Sequence, residues 1–153
     1  MKLLDEIRKV LIADEGVVYE IYLDHLGYPT FGIGHLVKKD DPEYNMDVGT
    51  VVSKDRVMEA FASDMSIAIE ETMRLVDNFN EHPQPVQIVL ISLVFQLGFS
   101  RARKFKRFIK AVNNKDYIEA GRELKDSKLY HQTQARTERH IERLEHAARN
   151  TDR

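Results

Sequence analysis

The chain predicts a mostly helical α+β fold, and three observations carry that reading. Apolar residues recur at helical spacing over most of its 153 residues. Residues 17–37 break that period with strand formers (Val17, Val18, Tyr19, Ile21, Tyr22, Phe31, Ile33, Val37) punctuated by Gly27, Pro29, Gly32 and Gly34. Residues 86–97 are apolar on nearly every face, the pattern of a buried central helix. Together they predict a small N-terminal lobe built on a β-hairpin, a long connecting helix and a helical C-terminal lobe.

Each element has its own justification. Leu3, Leu4, Ile7, Val10 and Leu11 give a short amphipathic helix over residues 2–13, closed by Gly16 as its C-cap. Residues 17–37 predict an antiparallel hairpin or three-stranded sheet, and residues 38–52 a polar loop. Ser53 suits the N-cap of a helix running to Val76, with Asp55 in its first turn and Val57, Phe61, Met65, Ala68, Ile69, Met73 and Val76 on one face. Such a helix of roughly 24 residues is about 36 Å long. His82-Pro83-Gln84-Pro85 breaks the chain, with Pro85 placed to open the central helix and Gly98 to end it. Shorter helices are expected near 104–112, 116–125 and 137–148, separated by Asn113-Asn114 and by 127–134. We expect one domain over residues 1–153. Its N-terminal lobe covers about 14–60, its connecting helix about 53–76, and its C-terminal lobe about 77–153 together with residues 1–13.

Hydrophobic residues make up 42% of the chain and charged residues 31%, an ordinary globular balance. Apolar runs such as 88–95 stop well short of a membrane span. The N-terminus acquires acids at once and does not read as a secretory signal. With no cysteine, disulfides, thiolate metal sites and a cysteine nucleophile are excluded. His131, His140 and His146 lack any metal-binding spacing, so no metal site is expected. The net charge of −2 names no nucleic-acid partner. The charge is uneven, however: Arg101, Arg103, Lys104, Lys106, Arg107 and Lys110 form a basic run with no acid inside it. That run is either a solvated helix face or a contact for an anionic polymer.

Glu15 and Asp24 flank a Gly-dense segment, with Thr30 and His35 following. Cleavage of an acetal by water needs an acid to protonate the leaving oxygen and a base to draw a proton from the water. When the water enters opposite the leaving group, the two carboxyls stand roughly 6.5–9.5 Å apart. Glu15, at the end of a helix, suits the acid, because a helix C-terminus opposes negative charge. Asp24, in a wetter turn, suits the ionised partner, and the Thr30 hydroxyl could hold the water. Gly32 and Gly34, two apart in a strand, indicate a backbone that bends or is approached closely.

The same residues resemble the T-even (T4-type) bacteriophage lysozymes, the phage-type endolysins. That family carries Asp-Glu-Gly at the end of its first helix and a Tyr-x-Asp-x-x-Gly-Tyr-x-Thr-x-Gly-x-Gly-His hairpin. Here the chain reads Asp14-Glu15-Gly16, then Tyr22-Leu23-Asp24-His25-Leu26-Gly27-Tyr28-Pro29-Thr30-Phe31-Gly32-Ile33-Gly34-His35. Val94-Phe95-Gln96-Leu97-Gly98 and Tyr130-His131-Gln132-Thr133, followed by Arg136 and Arg139, extend the likeness to most of the chain.

The resemblance implies a lysozyme-like fold and a muramidase, with no metal or cofactor. Such an enzyme hydrolyses the β-1,4 bond between N-acetylmuramic acid and N-acetylglucosamine in peptidoglycan, with inversion, and lyses the host cell. It implies Glu15 as general acid, Asp24 as the carboxylate that deprotonates water, and Thr30 as the group that orients it. Leu36, Phe95, Phe108 and Glu123 fall where the family contacts saccharide. Phe108 and Glu123 are a large ring and an acid where the family often has small or amide side chains. His35 and Asp64 match a structural ion pair, Gln96 lies in the matching central helix, and Arg136 matches an arginine paired with the acid. The chain departs from the family in lacking tryptophan and in its slightly acidic charge.

By the same likeness and the absent signal, we expect a monomer that accumulates in the bacterial host cytoplasm. It would reach the periplasmic wall through a holin-dependent membrane lesion, with no stable membrane association and no nucleic-acid partner. The rival reading from another class is a lysozyme-fold module that has lost catalysis and only docks to glycan or to a phage protein. A helical nucleic-acid binder using residues 101–110 ranks last, because no groove-reading motif flanks the run.

Overall fold

The computed structural model describes residues 2–151. It begins with helix α1 (Lys2–Glu15), which ends where Gly16 turns left-handed at φ 73° and donates its amide to the Ile12 carbonyl at 2.9 Å. A three-stranded antiparallel sheet follows: β1 (Val18–Leu23), β2 (Pro29–Gly32) and β3 (His35–Leu36), in that order. The register pairs Tyr22 with Thr30 and Leu23 with Pro29. It shifts at a bulge before Val18 meets Gly32.

The segment after β3 is irregular, as expected of a polar loop, and backbone hydrogen bonds tie it down. Its amides and carbonyls run along the free edge of β1: Ile21 donates to Thr50, Val52 to Tyr19, and Gly49 to Ile21. Helix α2 (Lys54–Leu75) follows, with the Ser53 hydroxyl accepting the Arg56 amide at 3.1 Å as the N-cap reading requires.

After a 3-10 turn at Phe79–Glu81 come α3 (Gln84–Leu97), α4 (Phe99–Ala102), α5 (Lys106–Asn113), α6 (Tyr117–Lys125), α7 (Lys128–Gln132) and α8 (Gln134–Thr151). Pro85 is the second residue of α3 rather than its first, because the Pro83 carbonyl already accepts from Val86 and Gln87. Most of α3 is buried, as its unbroken apolar run requires. Sequence reading missed α4 and α7. Both are single turns, too short to show a period, and Ser127 caps α7 by accepting the Tyr130 amide.

The chain divides into two compact units, Arg8–Ile67 and Met1–Ile7 with Ala68–Arg153. The divisions fall inside α1 and α2. The first unit buries Leu11, Ile21, Phe31, Ile33, Val57 and Phe61. The second packs α3 and α6 on α8, with Leu90, Ile91, Leu124 and Leu144 fully buried. No helix among the described residues is long and apolar enough to cross a membrane.

Candidate active site

Glu15 is the last residue of α1, delivered there by the Gly16 stop. Its carboxylate rests against Gly34, on the turn between β2 and β3. A Cβ at Gly34 would stand 3.1 Å from Glu15 Oε1 and 3.2 Å from its Cδ. Gly34 also has φ 67°, a conformation that L side chains rarely adopt. The Gly-x-Gly pattern is thereby explained in both its members. Gly32 lies against α2, where a Cβ would meet Val57 Cγ1 at 3.0 Å.

Asp24 sits at the tip of the β1–β2 hairpin. Its Oδ1 accepts the amides of Leu26 and Tyr28, each at 2.9 Å. Among the described residues its Oδ2 accepts no hydrogen bond. Thr30 is buried on β2 opposite Tyr22, and its hydroxyl donates to the Tyr28 carbonyl at 2.9 Å. One residue's backbone therefore orients both groups, Asp24 through the Tyr28 amide and Thr30 through the Tyr28 carbonyl. With its hydrogen spent, the Thr30 oxygen is left as an acceptor.

Tyr22 was not singled out by sequence reading. Burial raises its phenol above the ordinary range, and the negative charges of Glu15 and then Asp24 raise it further. Both acids thus act on one ring. The signal was available: Tyr22 lies two residues from Asp24, near the end of the strand that leads into it.

His35 anchors the hairpin to α2. Its Nδ1 is 2.7 Å from Asp64 Oδ2 and its Nε2 is 2.8 Å from Asp41 Oδ2. Burial opposes the imidazolium, but the hydrogen bonds and charges of Asp64 and Asp41 outweigh it and raise the His35 pKa. Asp41 Oδ1 continues to Arg56 at 3.1 Å, and Arg56 grips both oxygens of Glu43 at 2.9 Å. The Asp64 pairing was expected; Asp41, Arg56 and Glu43 were not, because their meeting depends on how residues 38–52 fold. Leu36 is exposed on β3, paired with Thr30.

The remaining site residues lie in the other unit. Phe95 and Gln96 are on α3, with Gln96 Nε2 donating to Thr133 Oγ1 at 3.4 Å. Arg136 is buried on α8 and donates to Ser92 Oγ at 3.3 Å. Glu123 lines a groove of about 650 Å³ together with Arg101, Lys104, Arg107 and Lys128. Phe108 borders the same groove at only 3% exposure, so it serves as packing beneath the surface more than as an open platform. Among the described residues no His, Cys, Asp and Glu side chains gather as a metal site would need.

Residues 13–143 match the family described as phage lysozyme. The chain is 29% identical to the probable T4-type lysozyme 1 of Dictyostelium discoideum, over 94% of this chain and 95% of that protein. It is 33% identical to the peptidoglycan hydrolase gp36 of Pseudomonas phage phiKMV, over 90% of this chain but 15% of that protein. It is 30% identical to the pre-baseplate central spike protein Gp5 of Enterobacteria phage T4, over 86% of this chain and 26% of that protein. A chain of this length thus covers nearly the whole amoebal relative and a fraction of the two longer phage proteins.

Proposed function

Because this chain belongs to the phage lysozyme family and is a glycoside hydrolase of peptidoglycan, we propose that it cuts the β-1,4 bond between N-acetylmuramic acid and N-acetylglucosamine by one inverting displacement. Glu15 protonates the leaving oxygen. Asp24 takes a proton from the attacking water, and Thr30 orients that water.

One observation carries the reading: Tyr28 fixes Asp24 and Thr30 so that each keeps an acceptor unspent. A water that gives one hydrogen to Asp24 Oδ2 and the other to Thr30 Oγ1 is left with its lone pairs facing away from both. That is the orientation a nucleophile needs, and the hydrogen given to Asp24 is the one to be removed. Positioned acid and base groups each contribute about 10²–10⁴ in rate. The Gly34 notch supports the acid's half of the chemistry, because it holds the Glu15 carboxyl on the turn after the strand that bears Thr30.

The test is Glu15→Gln. It should abolish lysis of chloroform-treated Gram-negative cells while the circular dichroism spectrum and melting temperature stay close to those of the parent. A variant that still lyses would rule out Glu15 as the acid. A docking module without catalysis has no need of all three residues, and this chain retains all three.

A further inference from the structure

Between Phe99 and Lys115 the chain carries seven lysines and arginines and no acid, in a protein whose net charge is −2. All seven are exposed. Among the described residues none of the seven makes an ion pair or a side-chain hydrogen bond. Arginines outside the run do find acids: Arg56 pairs with Glu43, Asp41 and Glu59, and Arg122 with Glu119. Seven unpaired cations on one short stretch repel one another, and a solvated face has no need to exclude every acid.

Six of these cations, all but Lys115, flank two grooves. One is the groove that Glu123 lines. The other, about 430 Å³, lies on the other flank of α5 and is lined by Arg74, Arg103, Lys106 and Lys110 around Phe99 and Ile109. Lys106 borders both. The Arg74 guanidinium stands 4.9 Å over the Phe99 ring, so one cation is held in place at the groove's wall. Asn113 and Asn114 line the same groove, and no acid does.

We propose that this second groove is a non-catalytic contact for the wall, taking the carboxylate-bearing peptide stems of peptidoglycan. The proposal rests on peptidoglycan being the substrate. The sugars of that polymer carry no charge of their own, so its anionic groups sit on the stems. A concave site with an apolar floor, two amides and a cationic rim suits a short peptide ending in a carboxylate better than a flat lipid surface. It would also let a slightly acidic protein hold an anionic polymer, because screening confines the contact to within about 8 Å of the cations.

Binding to purified Gram-negative sacculi on ice, read by co-sedimentation, tests this. Sacculi with native stem carboxylates are compared with sacculi amidated by carbodiimide and ammonium. The protein is compared with Arg103→Gln/Lys110→Gln and with the charge-conserving Arg103→Lys/Lys110→Arg. Two exposed ion pairs of ordinary strength give about a fivefold change in affinity. The parent should lose about that much on amidation. The Gln variant should bind native sacculi as weakly as the parent binds amidated ones, and the charge-conserving variant should match the parent. Equal binding to both kinds of sacculi, or a Gln variant that binds native sacculi like the parent, would overturn the proposal. So would retention on anionic phospholipid vesicles that the Gln variant alone loses while its sacculus binding is untouched. Failure of the hydrolytic reading would show separately, as no reducing ends released from either kind of sacculi by the parent at working temperature.

Discussion

Gly34 and Glu15 fit against each other with no room to spare: an added Cβ on the glycine would sit 3.1 Å from the Glu15 carboxylate oxygen. The contact joins the end of α1 to the β2–β3 turn, and it makes a glycine in the hairpin motif part of the acid's geometry.

Gly34→Ala is therefore predicted to reduce activity by more than its loss of stability explains. The left-handed backbone costs about 1–2 kcal/mol with a side chain present. The displaced carboxyl should lower the rate by about 10², the scale for a misplacement near 1 Å. Chemical denaturation alongside initial rates on purified sacculi separates the two effects.

Asp24 and Thr30 are both tied to the Tyr28 backbone, and the proposed mechanism leaves their remaining acceptors to the attacking water. Asp24→Asn keeps an oxygen for the Leu26 and Tyr28 amides, so its stability should stay within about 1 kcal/mol of the parent while the rate falls by about 10²–10⁴. Asp24→Glu should retain a measurable fraction of activity. Thr30→Val should lose about 1 kcal/mol of stability or less, because the Tyr28 carbonyl loses one of its two donors and keeps the Asp24 amide, and its rate should fall without a matching change in KM.

Two of the buried histidines, His35 and His140, predict opposite pH dependences. The His35 pKa is raised in the fold against burial, by Asp64 and Asp41. Its contribution is present in full below the unfolded value of about 6.5 and is lost as pH rises through the folded pKa. Asp64→Asn or Asp41→Asn should destabilise the protein by about 3 kcal/mol in mildly acidic solution and by less in alkaline solution, read from melts across pH.

His140 behaves in the other direction. It is fully buried, and neither ring nitrogen has a hydrogen-bond partner among the described residues. Burial first, then the charges of Arg136, Arg143 and Arg139, pushes its pKa down to about 3. The unfolded chain takes up a proton near pH 6.5 that the fold refuses. Stability should therefore fall as pH drops from there toward about 3, by up to about 1.4 kcal/mol per pH unit. His140→Leu should flatten that acid limb. An unchanged limb would assign acid sensitivity to another group.

The architecture of the hairpin was legible because its determinants are local. The Glu15, Asp24 and Thr30 spacing, the Gly16 stop and the two motif glycines all act within about 20 residues of one another, and each residue type has few physical alternatives at its position. The Ser53 cap and the apolar run of α3 were legible for the same reason. Short helices α4 and α7 were not, because one turn has no periodicity to detect. Nor was the Asp41–Arg56–Glu43 chain, which forms only once residues 38–52 lie against β1 and α2. Phe108 was expected to contact saccharide from the family resemblance alone, and its burial to 3% exposure depends on packing that no local pattern reveals.

The stereochemistry of the first-formed product tests the mechanism most directly. Proton NMR of a muramyl oligosaccharide digest, recorded within the first minutes before mutarotation, should show the new reducing end as the α-anomer, because water enters opposite the departing oxygen. An initial β-anomer would mean retention through a second displacement, and Asp24 and Thr30 could not then be holding the water that attacks the glycosidic bond.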